Sequence, residues 1–147
     1  MSTHSRSESG TETRDQFETR WAPRAGAVAG LTATVAMGVA ISLTDLATLR
    51  EAIAGLYGLR GSLLAGWGAH LIHGSLFGVV FAAVLADPGL AGLEEWPWKT
   101  VVAGVVYGLV LAVVGAGIVM PIWLGLVGFP TPPSLPNVTV PMLGWHL

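Results

Sequence analysis

Three long apolar stretches are separated by short polar segments along this sequence. Residues 25–44, 62–86 and 100–124 contain no Asp, Glu, Lys or Arg. A helix needs roughly 20 apolar residues to cross a bilayer core, and each stretch provides about that length. A shorter apolar segment, residues 139–147, follows a Pro-rich loop. The pattern predicts an all-α polytopic membrane helix bundle with three full transmembrane helices plus a truncated fourth.

The polar segments predict the remaining organisation. Residues 1–20 are rich in Ser, Thr and charged side chains, which indicates a disordered cytoplasmic tail before a transmembrane domain over residues 21–147. Leucine and isoleucine recur at helical spacing in residues 45–57, with charged residues on the other faces. We therefore expect a short amphipathic helix at the membrane interface in that segment.

Small residues recur every four positions within the apolar stretches. On a helix this spacing places them on one face, where two backbones can approach closely. The glycines expected to pack against other helices are Gly26, Gly30, Gly66, Gly74, Gly78, Gly104 and Gly108.

Short matches also point to an internal repeat. Val-Ala-Gly occurs at residues 28–30 and 102–104, and Gly-x-His-Leu occurs at residues 68–71 and 144–147. The separations are similar, which favours two tandem helix hairpins related as a parallel repeat. Chance matching in a chain rich in Gly, Ala, Val and Leu is the alternative.

Composition narrows the class of protein. Hydrophobic residues make up 52% of the chain and charged residues 11%, against about 25% charged residues in soluble domains. A net charge of −2 gives no basis for a nucleic-acid partner. Without cysteine, the chain has no thiol chemistry, disulfide bond or cysteine-ligated metal.

Three histidines are the candidate functional residues within the apolar segments: His70, His73 and His146. One interpretation is a ligand set in which His70 and His146 face each other across the repeat and, with His73, hold haem or a metal. The other is polar packing, in which neutral imidazoles form hydrogen bonds between helices. The sequence favours polar packing, because no carboxylate accompanies the histidines.

The sequence gives less support to transport and to catalysis. The spans hold no acidic residue of the kind that proton-coupled carriers use, and the chain has no Gly-x-Ser-x-Gly motif. We therefore expect a packing or accessory membrane subunit without enzymatic activity. A small haem- or metal-binding membrane subunit is the alternative, and an oligomeric channel or transporter is the third interpretation.

Two segments carry a resemblance to a known group of proteins. EAIAGLYGLRGSLLAGWGAHLIHGSLFGVVFAAVLA and MPIWLGLVGFPTPPSLPNVTVPMLGWHL resemble small uncharacterised haloarchaeal integral membrane proteins of four helices, sometimes automatically named histidine kinases. The resemblance covers roughly residues 22–147. It implies a fourth helix that this chain does not complete, and it supplies no activity. We expect either that the full-length protein is longer or that a second copy or a membrane partner completes the bundle.

The distribution of positive charge predicts the orientation in the cell membrane. Five Lys and Arg residues fall on the side of the amino terminus and two on the other side, so the amino terminus should be cytoplasmic. The five are Arg6, Arg14, Arg20, Arg24 and Lys99, and the two are Arg50 and Arg60. Protease added to intact cells should leave an amino-terminal epitope uncut; its removal would reverse the assigned orientation.

Overall fold

The computed structural model describes the backbone of residues 4–147 and the side chains of residues 10–147. The described chain is all-helical and contains no strand. Its helices are α1 (His4–Arg20), α2 (Pro23–Thr44), α3 (Leu63–Ala86), α4 (Pro97–Leu126) and α5 (Val140–Trp145). A π-helical segment, Thr48–Ile53, joins α2 to α3, and a 3₁₀ segment, Pro88–Leu93, joins α3 to α4.

Helices α2, α3 and α4 are each long and apolar enough to cross a membrane, which confirms the three predicted spans. Most of their large aliphatic side chains are exposed; Leu64 and Val101, for example, are 86% and 64% exposed. In water such a surface would favour aggregation, whereas lipid chains cover it at no comparable cost.

The contact between α2 and α3 is backbone against backbone. A Cβ atom built on Gly30 would lie against the carbonyl oxygen of Gly74, and one on Gly78 would lie against that of Gly26. A Cβ on Gly74 would meet the side chain of Thr34. Thr34 itself is buried, and its hydroxyl donates to the Gly30 carbonyl at 2.7 Å. Only glycine allows the two helices to come this close.

The connection between these helices packs against the first turns of α3. The π-helical segment Thr48–Ile53 lies within residues 45–57, where the sequence predicts an interfacial helix. Leu49 is fully buried, and its carbonyl lies where a Cβ on Gly66 would stand. The apolar face of this segment is therefore covered by protein.

Helix α1 occupies a segment that the sequence predicts to be a disordered tail. The structure differs from that prediction over residues 4–20, and residues 1–3 lie outside the described residues. Arg20 ties the end of α1 to the end of α3: its Nη2 atom donates to the Leu85 carbonyl and to Glu94, both at 2.7 Å. A cation at the carboxyl end of a helix satisfies carbonyls that have no partner within the helix.

Helix α4 stands against the α2–α3 pair through aromatic side chains. The rings of Phe81 and Tyr107 are 5.0 Å apart, and the Tyr107 hydroxyl donates to the Phe77 carbonyl at 2.9 Å. At the other end, Trp123 Nε1 donates to the Leu56 carbonyl at 2.9 Å. In these contacts side chains lie between α4 and the elements that it packs against, in contrast to the backbone contact of α2 with α3.

A π-helical segment, Leu111–Val119, interrupts the α-helical hydrogen bonding of α4. The Met120 amide donates to the Gly115 carbonyl, five residues back. Pro121 follows directly. Because proline has no N–H, it cannot donate to the carbonyl four residues before it, which belongs to Gly117. The π-helical segment therefore ends shortly before Pro121, the proline near the end of this span.

The carbonyl of Gly117 accepts a hydrogen bond from outside the helix. The amide of Asn137, in the Pro-rich loop after α4, donates to it at 2.8 Å. The loop is thereby held against the middle of α4, and α5 begins three residues later. Thr139 caps α5 by accepting a hydrogen bond from the Met142 amide at 3.3 Å.

Helix α5 has six residues, so it does not form a fourth spanning helix, and neither that helix nor the repeat is confirmed. Trp145 at its end donates through Nε1 to the Thr44 hydroxyl at 3.1 Å. The indole packs against the buried cluster formed by Ile41, Leu49, Ile53 and Ala69.

Replacing Gly78 with alanine should destabilise the fold, because the added Cβ would meet the rigid backbone of Gly26 and Gly30. We expect a loss of about 1–3 kcal/mol, typical of overpacking. Gly68→Ala on the same helix is the matched control, since nothing lies within 4 Å of its Cβ position. Thermal unfolding in detergent measures both, and equal midpoints would show that the glycine contact has no packing role.

Replacing Arg20 with glutamine should free α1 from the end of α3, because the bonds to Leu85 and Glu94 are lost. We expect faster proteolytic cleavage within α1. Arg14→Gln is the control: its ion pair with Glu18, at 3.1 Å, lies within α1 and is exposed. Equal cleavage rates for the two variants would contradict the anchoring role.

Candidate functional site

The candidate site lies where α5 meets the α2–α3 pair. His70 is 8% exposed and stands on the face of α3 that carries the packing glycines. Its ring meets Trp67 edge-on, with the ring centroids 6.3 Å apart. Its Cδ2 atom lies 3.1 Å from the Cβ position of Gly38, so the close approach of α2 encloses the imidazole.

One ring nitrogen of His70 has no partner. Nε2 is buried and has no hydrogen-bond partner; among the described residues it is the one buried side-chain nitrogen or oxygen in that state. The open lone pair or N–H of Nε2 is unusual, because buried polar groups are nearly always paired.

His146 follows α5, and one of its ring nitrogens has a backbone partner. Its Nδ1 atom lies 2.8 Å from the Met142 carbonyl, which can only accept, so Nδ1 carries a proton. Its own carbonyl lies against Gly108 of α4. Trp145, the residue before it, packs against the buried cluster that includes Ala69 of α3.

His73 has a separate partner. Its Nε2 atom lies 2.6 Å from the hydroxyl of Tyr57, in the connection between α2 and α3. Its ring also lies beside Phe77, with centroids 6.3 Å apart. The structure therefore gives His73 a side-chain partner in Tyr57 and His146 a backbone partner in Met142, whereas Nε2 of His70 has none.

The arrangement bears on both ligand interpretations. Among residues whose side chains are described, no group of three or more His, Asp or Glu is placed to hold a metal ion. Haem binding would need a flat space beside the iron-ligating imidazole, whereas Trp67 and Gly38 enclose the ring of His70.

The glycines predicted to pack against other helices divide into two groups. Four of them, together with Gly66, lie on the α2–α3 side, where each meets a backbone or a side chain of a neighbouring segment. Gly108 meets His146, but nothing lies within 4 Å of the Cβ position of Gly104. The four are Gly26, Gly30, Gly74 and Gly78.

Sequence reasoning did not identify two residues that shape the site. Tyr57 binds His73, and Trp145 fixes the position of α5. Thr34, by contrast, shares the four-residue spacing of Gly26, Gly30 and Gly38, which places it on the packing face, and the structure sets it against Gly74. Nothing local in the sequence marks Tyr57 or Trp145, because their partners are distant along the chain.

No family model matches the chain, and no curated protein or solved structure is significantly similar to it.

Proposed function

We propose that this chain is a packing or accessory subunit of the cell membrane, without enzymatic activity and with its amino terminus in the cytoplasm. One observation carries the proposal: the glycines of α2 and of most of α3 are used within the chain, whereas those of α4 are largely open. Gly104, Gly115 and Gly125 have nothing within 4 Å of their Cβ positions.

The open face of α4 supports a contact with another membrane helix. Small residues in a transmembrane helix favour contact with another helix, because they allow the two backbones to approach closely. Lipid chains pack less well into the groove that small residues leave. The surrounding valines are exposed, so nothing within the described chain covers this face. Val101, Val102, Val105 and Val106 are between 36% and 64% exposed.

A second copy of the chain is the proposed occupant. Two identical faces related by a twofold axis are self-complementary, so the same glycines on both copies would allow close approach. The acidic and basic side chains near this end of α4 are partly paired already, since Lys99 contacts Glu95 at 3.1 Å. The association would therefore depend on packing and not on charge.

A channel through one chain is less well supported. The backbones of α2 and α3 touch over several turns, which leaves no space for a pore between them. A conducting path would have to form between copies.

Cross-linking of single-cysteine variants tests the proposal, since the chain contains no cysteine that would compete. Gly104→Cys should form a disulfide-linked dimer when membranes are treated with a mild oxidant. Gly68→Cys is the matched control, because its Cβ position is equally open but lies on α3. Denaturing electrophoresis without reductant measures the dimer fraction.

Two results would count against the proposal. Equal cross-linking of the two variants would indicate random collision in the membrane. An absence of dimer with Gly104→Cys, in membranes where the protein is folded, would reject self-association through α4.

A further inference from the structure

The Pro-rich loop and the short helix α5 run back along α4. The Asn137 amide donates to the Gly117 carbonyl at 2.8 Å, and the His146 carbonyl lies where a Cβ atom on Gly108 would stand. Asn137 precedes His146 by nine residues, and Gly108 precedes Gly117 by nine. Between these two contacts the segment therefore runs antiparallel to α4.

Helix α4 gives the depth of this segment. The helix has 30 residues, ends at Leu126, and is long and apolar enough to cross a membrane. Gly117 lies nine residues before that end, which at ~1.5 Å per residue is about 13 Å along the helix. Trp123, a residue type that favours the headgroup level, lies between the two. Asn137 is therefore level with the apolar part of the span and not with its end.

The backbone of residues 130–138 has few partners. The segment is irregular, and four of its nine residues are proline, which has no N–H to donate. Within the described chain its one backbone–backbone hydrogen bond is that of Asn137 with Gly117. Leu135 and Val138 are 59% and 44% exposed, so the described chain leaves much of the segment uncovered. The loop therefore presents carbonyl oxygens that need a donor from elsewhere.

Carbonyl groups of this kind require water or protein beside them. Irregular backbone is tolerated at membrane depth only where protein buries it or where it lines a water-filled cavity. Water is the better partner here, because it can donate to carbonyl oxygens in whatever direction they point, whereas a covering protein would need its own donors arranged along an irregular segment. The exposed hydroxyl residues Thr131 and Ser134 and the partly exposed amide residue Asn137 also favour an aqueous surface.

We propose that residues 130–139 form a re-entrant loop that lines a water-filled vestibule reaching Asn137. The mouth of the vestibule lies at the end of the bundle that carries Arg60, whose Cζ atom is 4.6 Å from the ring centroid of Phe129, the residue before the loop. A charged side chain at that end keeps water beside the entrance. The vestibule belongs to a single chain, so it depends neither on the contact through α4 nor on the orientation of the chain in the membrane.

Labelling of single cysteines with a membrane-impermeant maleimide tests the proposal, since the parent chain has no cysteine. The reagent is added to membranes opened by brief sonication, so that it reaches both faces. Asn137→Cys keeps the backbone amide that donates to Gly117. Because the thiolate is the reacting species and forms in water but not in hydrocarbon, this variant should label at least about tenfold faster than a cysteine covered by lipid.

Val119→Cys is the matched control. Val119 is 55% exposed and lies two residues nearer the end of α4 than Gly117 does, so it is shallower than Asn137. If depth alone set the rate, Val119→Cys would label faster; in the proposed arrangement it labels slowly, because an apolar surface covers that side of α4. Leu59→Cys, 54% exposed in the connection between α2 and α3, gives the rate at the open surface.

The vestibule predicts a rate for Asn137→Cys close to that of Leu59→Cys and far above that of Val119→Cys. Equal rates for Asn137→Cys and Val119→Cys would overturn the proposal. If both are slow, lipid or a second protein covers the loop; if both are fast, water reaches this level of the bundle from every side. Should Asn137→Cys fail to fold, Val138→Cys at the neighbouring exposed position decides between the same outcomes.

Discussion

The approach of the α2 and α3 backbones is the contact on which the rest of the fold depends. Gly26, Gly30, Gly74 and Gly78 leave no side chain between the helices, so carbonyl oxygens lie against neighbouring α-carbons. In a bilayer, lipid competes with protein for every apolar surface, and a close fit is what favours helix against helix. The same closeness encloses His70, because α2 passes directly over its ring.

A second constraint fixes the positions of the Pro-rich loop and of α5, which follow α4. Pro121 cannot donate to the Gly117 carbonyl, and the Asn137 amide donates to it from the loop. An unpaired carbonyl within a membrane is costly, so this bond holds the loop against α4. Trp145 then fixes α5 to α2 through Thr44. The two attachments together set the position of His146, which follows α5.

The histidines take different roles for reasons of position. His73 finds Tyr57, and the bond satisfies one ring nitrogen near the connection between α2 and α3. His70 lies among apolar side chains with Nε2 open. Polar packing accounts well for His73 but leaves the bonding of His70 incomplete. Hydrogen bonding between helices therefore explains one of these two histidines and not the other.

The sequence by itself determined the three spans and the packing face of α2 and α3, because apolar length and four-residue spacing are local properties of a helix. Only the tertiary structure decided that α1 is a helix fixed at Arg20 and that Gly104 is left open. It also decided that His73 bonds to Tyr57. Each of these outcomes depends on partners that are distant along the chain. Periodicity shows which face a residue occupies, but it does not show which neighbour covers that face.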